Sequence, residues 1–270
     1  MISAPWAISL ALALAACASA TLRAIVLRAV NGTGSVPLID FFHATAVAHE
    51  YRKFAEPQGA VQRLFAVVVT ALGGTTVMSF LLGQPCGWLC DNETLTAYVV
   101  AWWLMHYAPF DFFYRVLDSS ASSRFVMGVL DDISWGVAIT KWGMFKAIAP
   151  MHPAPAGSTV AALLSGLVAG CGGGVIQQGA SLLKKEWSLC TPNAFRVGTI
   201  GFGVKATSFC VVLSYILLDP HGHLVSALPS SVTSLAGGRW PLGHDETIYV
   251  AIITMIHVAT VRSTLARLMA

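Results

Sequence analysis

Long apolar stretches separated by short polar segments alternate along the chain. An N-terminal stretch covers about 4–22, and seven more follow at about 36–51, 61–82, 95–117, 124–148, 158–183, 195–218 and 246–268. A membrane-spanning helix needs about 20 consecutive, mostly apolar residues. The pattern therefore predicts an all-α membrane protein with seven transmembrane helices after the N-terminal stretch.

The N-terminal hydrophobic segment, residues 1–30, allows two interpretations. Ala18-Ser19-Ala20 is similar to the small-residue site at which signal peptides are cleaved. No Lys or Arg precedes Arg23, however, so the basic region that opens a signal peptide is missing. The segment is either a signal peptide or an additional helix.

The composition supports lipid as the main solvent of the chain. Of 270 residues, 16 are Lys or Arg and 13 are Asp or Glu, which is 11% charged against 56% hydrophobic. An ordinary soluble domain has about 25% charged residues, so a water-soluble enzyme is excluded. The net charge of +3 is too small to indicate a nucleic-acid partner. The sequence has no His-Glu-x-x-His or Gly-x-Ser-x-Gly motif, so we expect neither an enzyme nor a cofactor.

Basic residues in the short loops predict the orientation. Most of them fall on one side of a seven-helix arrangement, and the side rich in Lys and Arg is normally cytoplasmic. This places the N-terminus in the lumen and the C-terminus in the cytoplasm. The Asn-x-Thr sequons at Asn31 and Asn92 then lie on the luminal side.

Two glycine pairs indicate an internal repeat. Gly73-Gly74 and Gly172-Gly173 are 99 residues apart, and so are Trp88 and Trp187. This spacing predicts two three-helix halves, 36–117 and 124–218, followed by the seventh helix at 246–268. Because three is an odd number, the second half enters the membrane in the opposite direction, so the repeat is inverted.

The glycines are also candidate site residues. The candidates are Gly73, Gly74, Gly172, Gly173 and Gly174. Glycine weakens a helix, and carbonyls exposed by unwinding are tolerated in a bilayer only where they line a cavity or are buried in protein. We therefore expect helix breaks beside an ion path. The alternative is that the small residues allow two helices to pack closely.

Ionisable residues within the apolar stretches are the second group of candidates. A charge at membrane depth costs several kcal/mol, so each one suggests a function. The predicted pore or gating residues are Asp40, His43, Asp111, Asp131, Asp132 and Lys205. Lys205 lies about ten residues inside its predicted span and needs a partner such as Asp131 or Asp132, and Pro109 should kink the span that contains Asp111. A buried structural pair or a position near the interface is the alternative for each.

Several motifs in order along the chain are similar to those of one family. They are Asp40-Phe41-Phe42-His43, Pro57-Gln58-Gly59-Ala60, Leu72-Gly73-Gly74, Leu81-Leu82-Gly83-Gln84-Pro85, Pro109-Phe110-Asp111-Phe112 and the run from Gly166 to Gly174. In these motifs the chain resembles the trimeric intracellular cation channels, the TRIC family of endoplasmic and sarcoplasmic reticulum. The resemblance covers roughly residues 36–268.

The resemblance implies a homotrimer in an intracellular membrane with one pore in each protomer. It also implies a potassium flux that balances charge during calcium release. One region departs from the family pattern: Asp131, Asp132 and Ile133, with Trp135, stand where the family has Lys-Glu-Val and a following Arg that hold a phosphoinositide headgroup. We therefore expect contacts with membrane lipids but no phosphoinositide site by that route. A coupled secondary transporter and a non-conducting structural subunit remain as alternative functions.

Overall fold

The computed structural model describes residues 38–148, 158–196, 201–227 and 240–268, together with Ala24, Leu27 and Val30. All regular secondary structure within these residues is helical. The all-α prediction is therefore confirmed for the described part of the chain. Most of the 1–30 segment, with both of its interpretations, lies outside the described residues, as does the sequon at Asn31.

Each predicted apolar stretch from 36 onward corresponds to helical structure. The helices are α1 (Leu38–Phe54), α2 (Ala60–Leu81), α3 (Gly87–Cys90), α4 (Asn92–Tyr107), α5 (Phe112–Asp118), α6 (Ala121–Val137), α7 (Phe145–Ile148), α8 (Thr159–Gly179), α9 (Phe202–Leu218), α10 (His223–Ala227) and α11 (His244–Leu268). By length and composition, α2 and α8 are long and apolar enough to cross a membrane, and α9 is a shorter apolar helix.

The helices α2 and α8 form the centre of the bundle. They make the most extensive helix pairing among the described residues, and α1, α4 and the α6 region pack around them. Buried side chains such as Val47, Val67 and Met105 join α1, α2 and α4 into one apolar cluster. A second cluster, which includes Val211 and Met255, joins α9 and α11. Apolar clusters of this kind therefore hold neighbouring helices of the bundle together.

The predicted kink at Pro109 is confirmed. Helix α4 ends at Tyr107, a 3₁₀ turn follows over Pro109–Asp111, and α5 begins at Phe112. Proline has no N–H to continue the helical hydrogen bonds and disfavours helical geometry in the residue before it. Phe110 and Asp111 both adopt a φ of 56°, in the left-handed region, so the chain changes direction here.

The fourth predicted span is helical but not uniform. After α6 the backbone widens into a π-helical segment over Ala138–Met144 before α7. Two glycines bring this region close to its neighbours. A Cβ added to Gly136 would lie 2.7 Å from the Ile252 Cα on α11, and one on Gly143 would lie 2.9 Å from the Gly166 Cα on α8. The fourth span is thus held tightly between α8 and α11.

Candidate functional site

A cavity of about 480 Å³ is lined by residues of both predicted three-helix halves, 36–117 and 124–218. Its α1 wall is formed by Asp40, His43, Val47 and Glu50. These residues are spaced by three, four and three positions, so they share one face of the helix. At 1.5 Å per residue, Asp40 and Glu50 are about 15 Å apart along the axis. The cavity is therefore elongated along α1 and carries acidic side chains near both ends of that wall.

The predicted helix breaks are not found. Helices α2 and α8 run without interruption through all five candidate glycines, Gly73, Gly74, Gly172, Gly173 and Gly174. The glycines instead let the two backbones touch, which was the alternative interpretation. A Cβ on Gly74 would lie 2.6 Å from the Val168 carbonyl oxygen, one on Gly172 would lie 2.9 Å from the Gly74 Cα, and one on Gly173 would overlap the Thr70 carbonyl oxygen.

Gly173 and Gly174 also line the cavity, but they do so differently. Gly173 is buried at the crossing of α2 and α8. Gly174 is exposed, and a Cβ placed on it would meet no atom within 4 Å. A side chain at position 174 would therefore enter open space at the cavity, whereas one at position 173 would force the helices apart.

Three predicted charged residues lie in the cavity and have defined partners. Asp40 is buried and accepts a hydrogen bond from Thr94 Oγ1 at 3.5 Å. His43 and Asp131 face each other from α1 and α6, with 2.6 Å between His43 Nδ1 and Asp131 Oδ1. This contact links the first predicted half of the chain to the second.

The other three predicted charged residues do not line the cavity. Asp111 forms an ion pair with Arg52, with 2.9 Å between Asp111 Oδ1 and Arg52 Nη2, at the turn before α5. Asp132 is buried, with 7% exposed, but lies outside the cavity lining. Lys205 is exposed in the first turn of α9, because this helix begins at Phe202 and not near 195. The prediction that Lys205 lies about ten residues inside its helix is therefore wrong.

Three further charged residues line the cavity and were not among the candidates. Glu50 accepts a hydrogen bond from Gln177 Nε2 at 3.3 Å. Asp91 caps α4 by accepting from the Glu93 N–H at 2.8 Å, and Lys146 lies on α7. Glu50 was predictable because it continues the α1 stripe of Asp40 and His43. Asp91 lies in the connection between α3 and α4, where periodicity gives no signal, and Lys146 lies at the end of the predicted fourth span.

A second group of charged residues, the Asp118 cluster, lies outside the cavity at the end of α5, beyond the predicted span 95–117. Asp118 Oδ1 accepts from Lys53 Nζ at 2.9 Å and lies 3.2 Å from His49 Nε2 and 3.8 Å from Arg124 Nη1. The hydrogen bond from Lys53 lowers the pKa of the Asp118 carboxyl, and the contact with His49 adds to this lowering. The cluster joins the ends of α1, α5 and α6 around one carboxylate.

The loop that contains Gln58 is tied to the segment after α8. Gln58 Nε2 donates to the carbonyl oxygens of Leu182 at 2.7 Å and Lys184 at 2.6 Å, and Glu56 Oε2 accepts from the Lys185 N–H at 2.9 Å. These contacts give a structural role to the Pro57-Gln58-Gly59-Ala60 motif, because the Gln58 side chain joins the two predicted halves at their connecting loops.

The described residues form an all-helical bundle with a charged cavity. The model of the TRIC channel family matches residues 60–236, which is more than half of the chain. The chain therefore belongs to the TRIC channel family.

Individual relatives agree with this assignment. The chain is 22% identical over 150 residues to the trimeric intracellular cation channel type B of Xenopus tropicalis, covering 55% of this chain and 50% of the relative. It is 23% identical over 161 residues to the type B-B channel of Xenopus laevis, covering 59% of this chain and 52% of the relative. The matches thus span about half the length of each relative. These relatives are named as channels and not as enzymes, in line with the sequence-based expectation.

Solved structures show the same fold. A trimeric intracellular cation channel from C. elegans with bound Ca²⁺ superimposes with a TM-score of 0.64 at 16% identity, covering 91% of this chain and 98% of the other. A TRIC counter-ion channel, described for its activity in calcium release, gives a TM-score of 0.59 at 20% identity, covering 88% of this chain and 98% of the other. The likeness therefore extends over nearly the whole length of both solved chains.

Proposed function

We propose that the chain forms a homotrimeric, potassium-permeable cation channel of the endoplasmic reticulum membrane that supplies counter-ion flux during calcium release. The names of the relatives support a trimeric cation channel, and the description of one solved structure supports the counter-ion role. We further propose seven spans with the N-terminus in the lumen and the C-terminus in the cytoplasm, in line with the distribution of Lys and Arg.

The acidic lining of the cavity is the observation that carries this proposal. Asp40, Glu50, Asp91 and Asp131 line it, against Lys146 and a His43 that is paired with Asp131. A cavity with an excess of one charge sign raises the local concentration of the opposite ion. Hydroxyl groups also line it and can replace part of the water around a dehydrating cation; they belong to Thr70, Thr75, Ser79, Thr94 and Ser134.

The meeting of the two glycine pairs supports an inverted repeat as part of the proposal. Equivalent residues of two halves related by a two-fold axis approach each other where that axis passes between them. A Cβ on Gly172 would lie 2.9 Å from the Gly74 Cα, and one on Gly73 would lie 3.8 Å from the Gly173 Cα. The 99-residue spacing in the sequence is therefore matched by contact between the corresponding glycines in space.

The continuity of α2 and α8 favours a channel over a coupled transporter. Transporters with inverted repeats typically bind substrate at discontinuous helices near the middle of the membrane. Here both glycine-bearing helices are regular from Ala60 to Leu81 and from Thr159 to Gly179. Side chains and not unwound backbone would therefore contact the ion.

Planar-bilayer recording of the purified full chain tests the proposal. We expect ohmic unitary currents whose reversal potential in a KCl gradient lies near that of potassium and far from that of chloride. Gly174→Leu should reduce the unitary conductance by about twofold or more, because the new side chain enters the cation path at a position that is otherwise open.

Gly128→Leu is the matched control. Gly128 is also an exposed helical glycine without atoms within 4 Å of an added Cβ, but it does not line the cavity. Equal conductance losses in both variants would contradict the cavity as the ion path. No current from correctly assembled oligomers would contradict the channel and favour a structural subunit, and saturable uptake without unitary currents would favour a transporter.

A further inference from the structure

We infer that Asp131 is the conduction-determining acid of the cavity and that His43 is the residue that positions it. The inference rests on the proposed function and assigns separate roles to two residues of the same site. Asp131 supplies the negative charge that attracts the permeating cation. His43 holds that carboxylate in the path from the opposite helix.

The contact between the two residues lies in the lining of the cavity. The 2.6 Å between His43 Nδ1 and Asp131 Oδ1 joins α1 to α6 across 88 residues of sequence. Their side chains keep 24% and 33% of their surface exposed, so both face the cavity space and neither is sealed in the core. In the described part of the chain, no hydrogen bond reaches the second oxygen, Oδ2, of Asp131. One oxygen is thus fixed by His43, and the side chain as a whole lines the space that a cation would pass.

The other acids of the cavity are less suited to this role. Asp40 is buried and accepts a hydrogen bond from Thr94, and Glu50 accepts a hydrogen bond from Gln177. Asp91 uses one oxygen to cap α4 and the other to accept from Thr94 at 3.0 Å. Asp131 combines partial exposure of its side chain with a single side-chain partner in the described part of the chain, which distinguishes it from the buried Asp40 and from Asp91, whose two oxygens are both engaged.

Asp132, the residue next to Asp131, provides a natural control for a mutation of Asp131. Asp132 has the same side chain on the same helix but is buried outside the cavity lining. Successive helical residues point about 100° apart. Replacing Asp131 or Asp132 by Asn exchanges the same side chain at almost the same position along α6, and only the first change alters the cavity surface.

Single-channel conductance at two salt concentrations tests the inference. A unit charge changes the local concentration of a monovalent ion about 4 Å away in water by about fivefold. Its range is about 30 Å at 0.01 M salt but about 3 Å at 1 M. Asp131→Asn should therefore lower the potassium conductance by about threefold to fivefold at 0.01 M KCl, with much of the difference lost at 1 M.

Two further variants keep the test decisive. Asp131→Glu keeps the charge and should retain most of the low-salt conductance, and Asp131→Ser is a second neutral variant should the Asn protein fail to assemble. Asp132→Asn should leave the low-salt conductance close to that of the unchanged protein. A purely structural role for Asp131 would give a loss that does not depend on salt, and that result would overturn the inference.

His43 is tested by its own pair of variants. His43→Gln still places an amide donor towards Asp131 and should preserve the low-salt conductance, whereas His43→Leu should give the same salt-dependent loss as Asp131→Asn. Equal behaviour of the two His43 variants would exclude the positioning role. Current from the unchanged chain distinguishes failure of the proposed function from failure of this inference. If the unchanged chain gives no current, the proposed function fails. If it gives current and the Asp131→Asn protein has the same conductance, only the present inference is refuted.

Discussion

The bundle is held together in two contrasting ways, at the α2–α8 crossing and at the Asp118 cluster. At the crossing, glycine backbones touch and no charged side chain takes part. The approach is so close that a Cβ on Gly74 would lie 2.9 Å from the Ala169 carbonyl oxygen. In the cluster, long side chains converge on a partly exposed carboxylate, with 26% of the Asp118 side chain accessible. The first contact depends on shape and the second on charge.

This difference determines what each contact can tolerate. Close-packed backbones cannot move apart slightly without losing many weak contacts at once. Exposed ion pairs have freedom to rearrange, are screened by salt and contribute little to stability. We therefore expect the crossing to respond to added volume and the cluster to respond to salt and pH.

The largest effect should come from Gly173→Ala. The new methyl group would overlap the Thr70 carbonyl oxygen, a backbone atom that cannot rotate away. Overpacking usually lowers the free energy of unfolding by about 1–3 kcal/mol. Because the Thr70 carbonyl is rigid, we expect a loss at or above the upper end of this range. Thermal unfolding of the detergent-purified protein, followed by fluorescence-detected size exclusion, measures it. Gly174→Ala is the control and should unfold near the original temperature; equal losses in both variants would refute the steric explanation.

An intermediate effect is expected from Arg52→Gln. Arg52 pairs with Asp111, donates from Nη1 to the Met105 carbonyl oxygen at 2.5 Å and lies 4.2 Å from the centre of the Tyr114 ring. Loss of these partly buried contacts should lower the free energy of unfolding by about 1–2 kcal/mol. The free energy of unfolding in a denaturant series measures it. Arg115→Gln, at an exposed position on α5, should have almost no effect; a comparable loss there would mean that general charge and not these contacts is responsible.

The smallest effect should come from Asp118→Asn, and it should depend on pH. The pKa of Asp118 is lowered from its ordinary value of 3.8 in the folded protein. A carboxyl with a lowered pKa stabilises the fold fully above its ordinary pKa and loses this contribution as the pH falls through the folded value. The melting temperatures of the original and Asn proteins should therefore differ slightly at pH 6 and converge below pH 3.8.

Salt and a second acid provide the controls for this experiment. High salt should remove the difference at pH 6, because exposed charges are screened. Glu93→Gln, an exposed acid in the first turn of α4, should show no comparable pH dependence. A difference that persists in high salt and at low pH would show that Asp118 acts by packing and not by charge.

The helices were predictable because their signals are local. Long apolar runs separated by polar segments define where a helix begins and ends within a few residues, and Pro109 alone predicts the break before α5. The same limited accuracy caused the error at Lys205. Because the helix starts at Phe202 and not near 195, Lys205 is an exposed residue of the first turn and does not lie about ten residues inside the helix.

The site was only partly predictable because its geometry depends on distant partners. A glycine pair can loosen a helix or admit a neighbour, and only the presence of Thr70 and Val168 opposite the glycines decides between these outcomes. Asp131 and Asp132 are equivalent in sequence, and the rotation of α6 decides which one faces the cavity. Glu50, in contrast, follows from the periodicity of α1 and could have been predicted.

The contrast between Gly173 and Gly174 has an evolutionary consequence. Each position accepts only those substitutions that its surroundings permit, and these surroundings differ completely for two adjacent residues. Position 173 should therefore remain glycine as the sequence diverges, while position 174 should be free to acquire side chains of different size and polarity. Natural variation at this single dipeptide would then alter the width and chemistry of the cavity without disturbing the helix crossing that builds it.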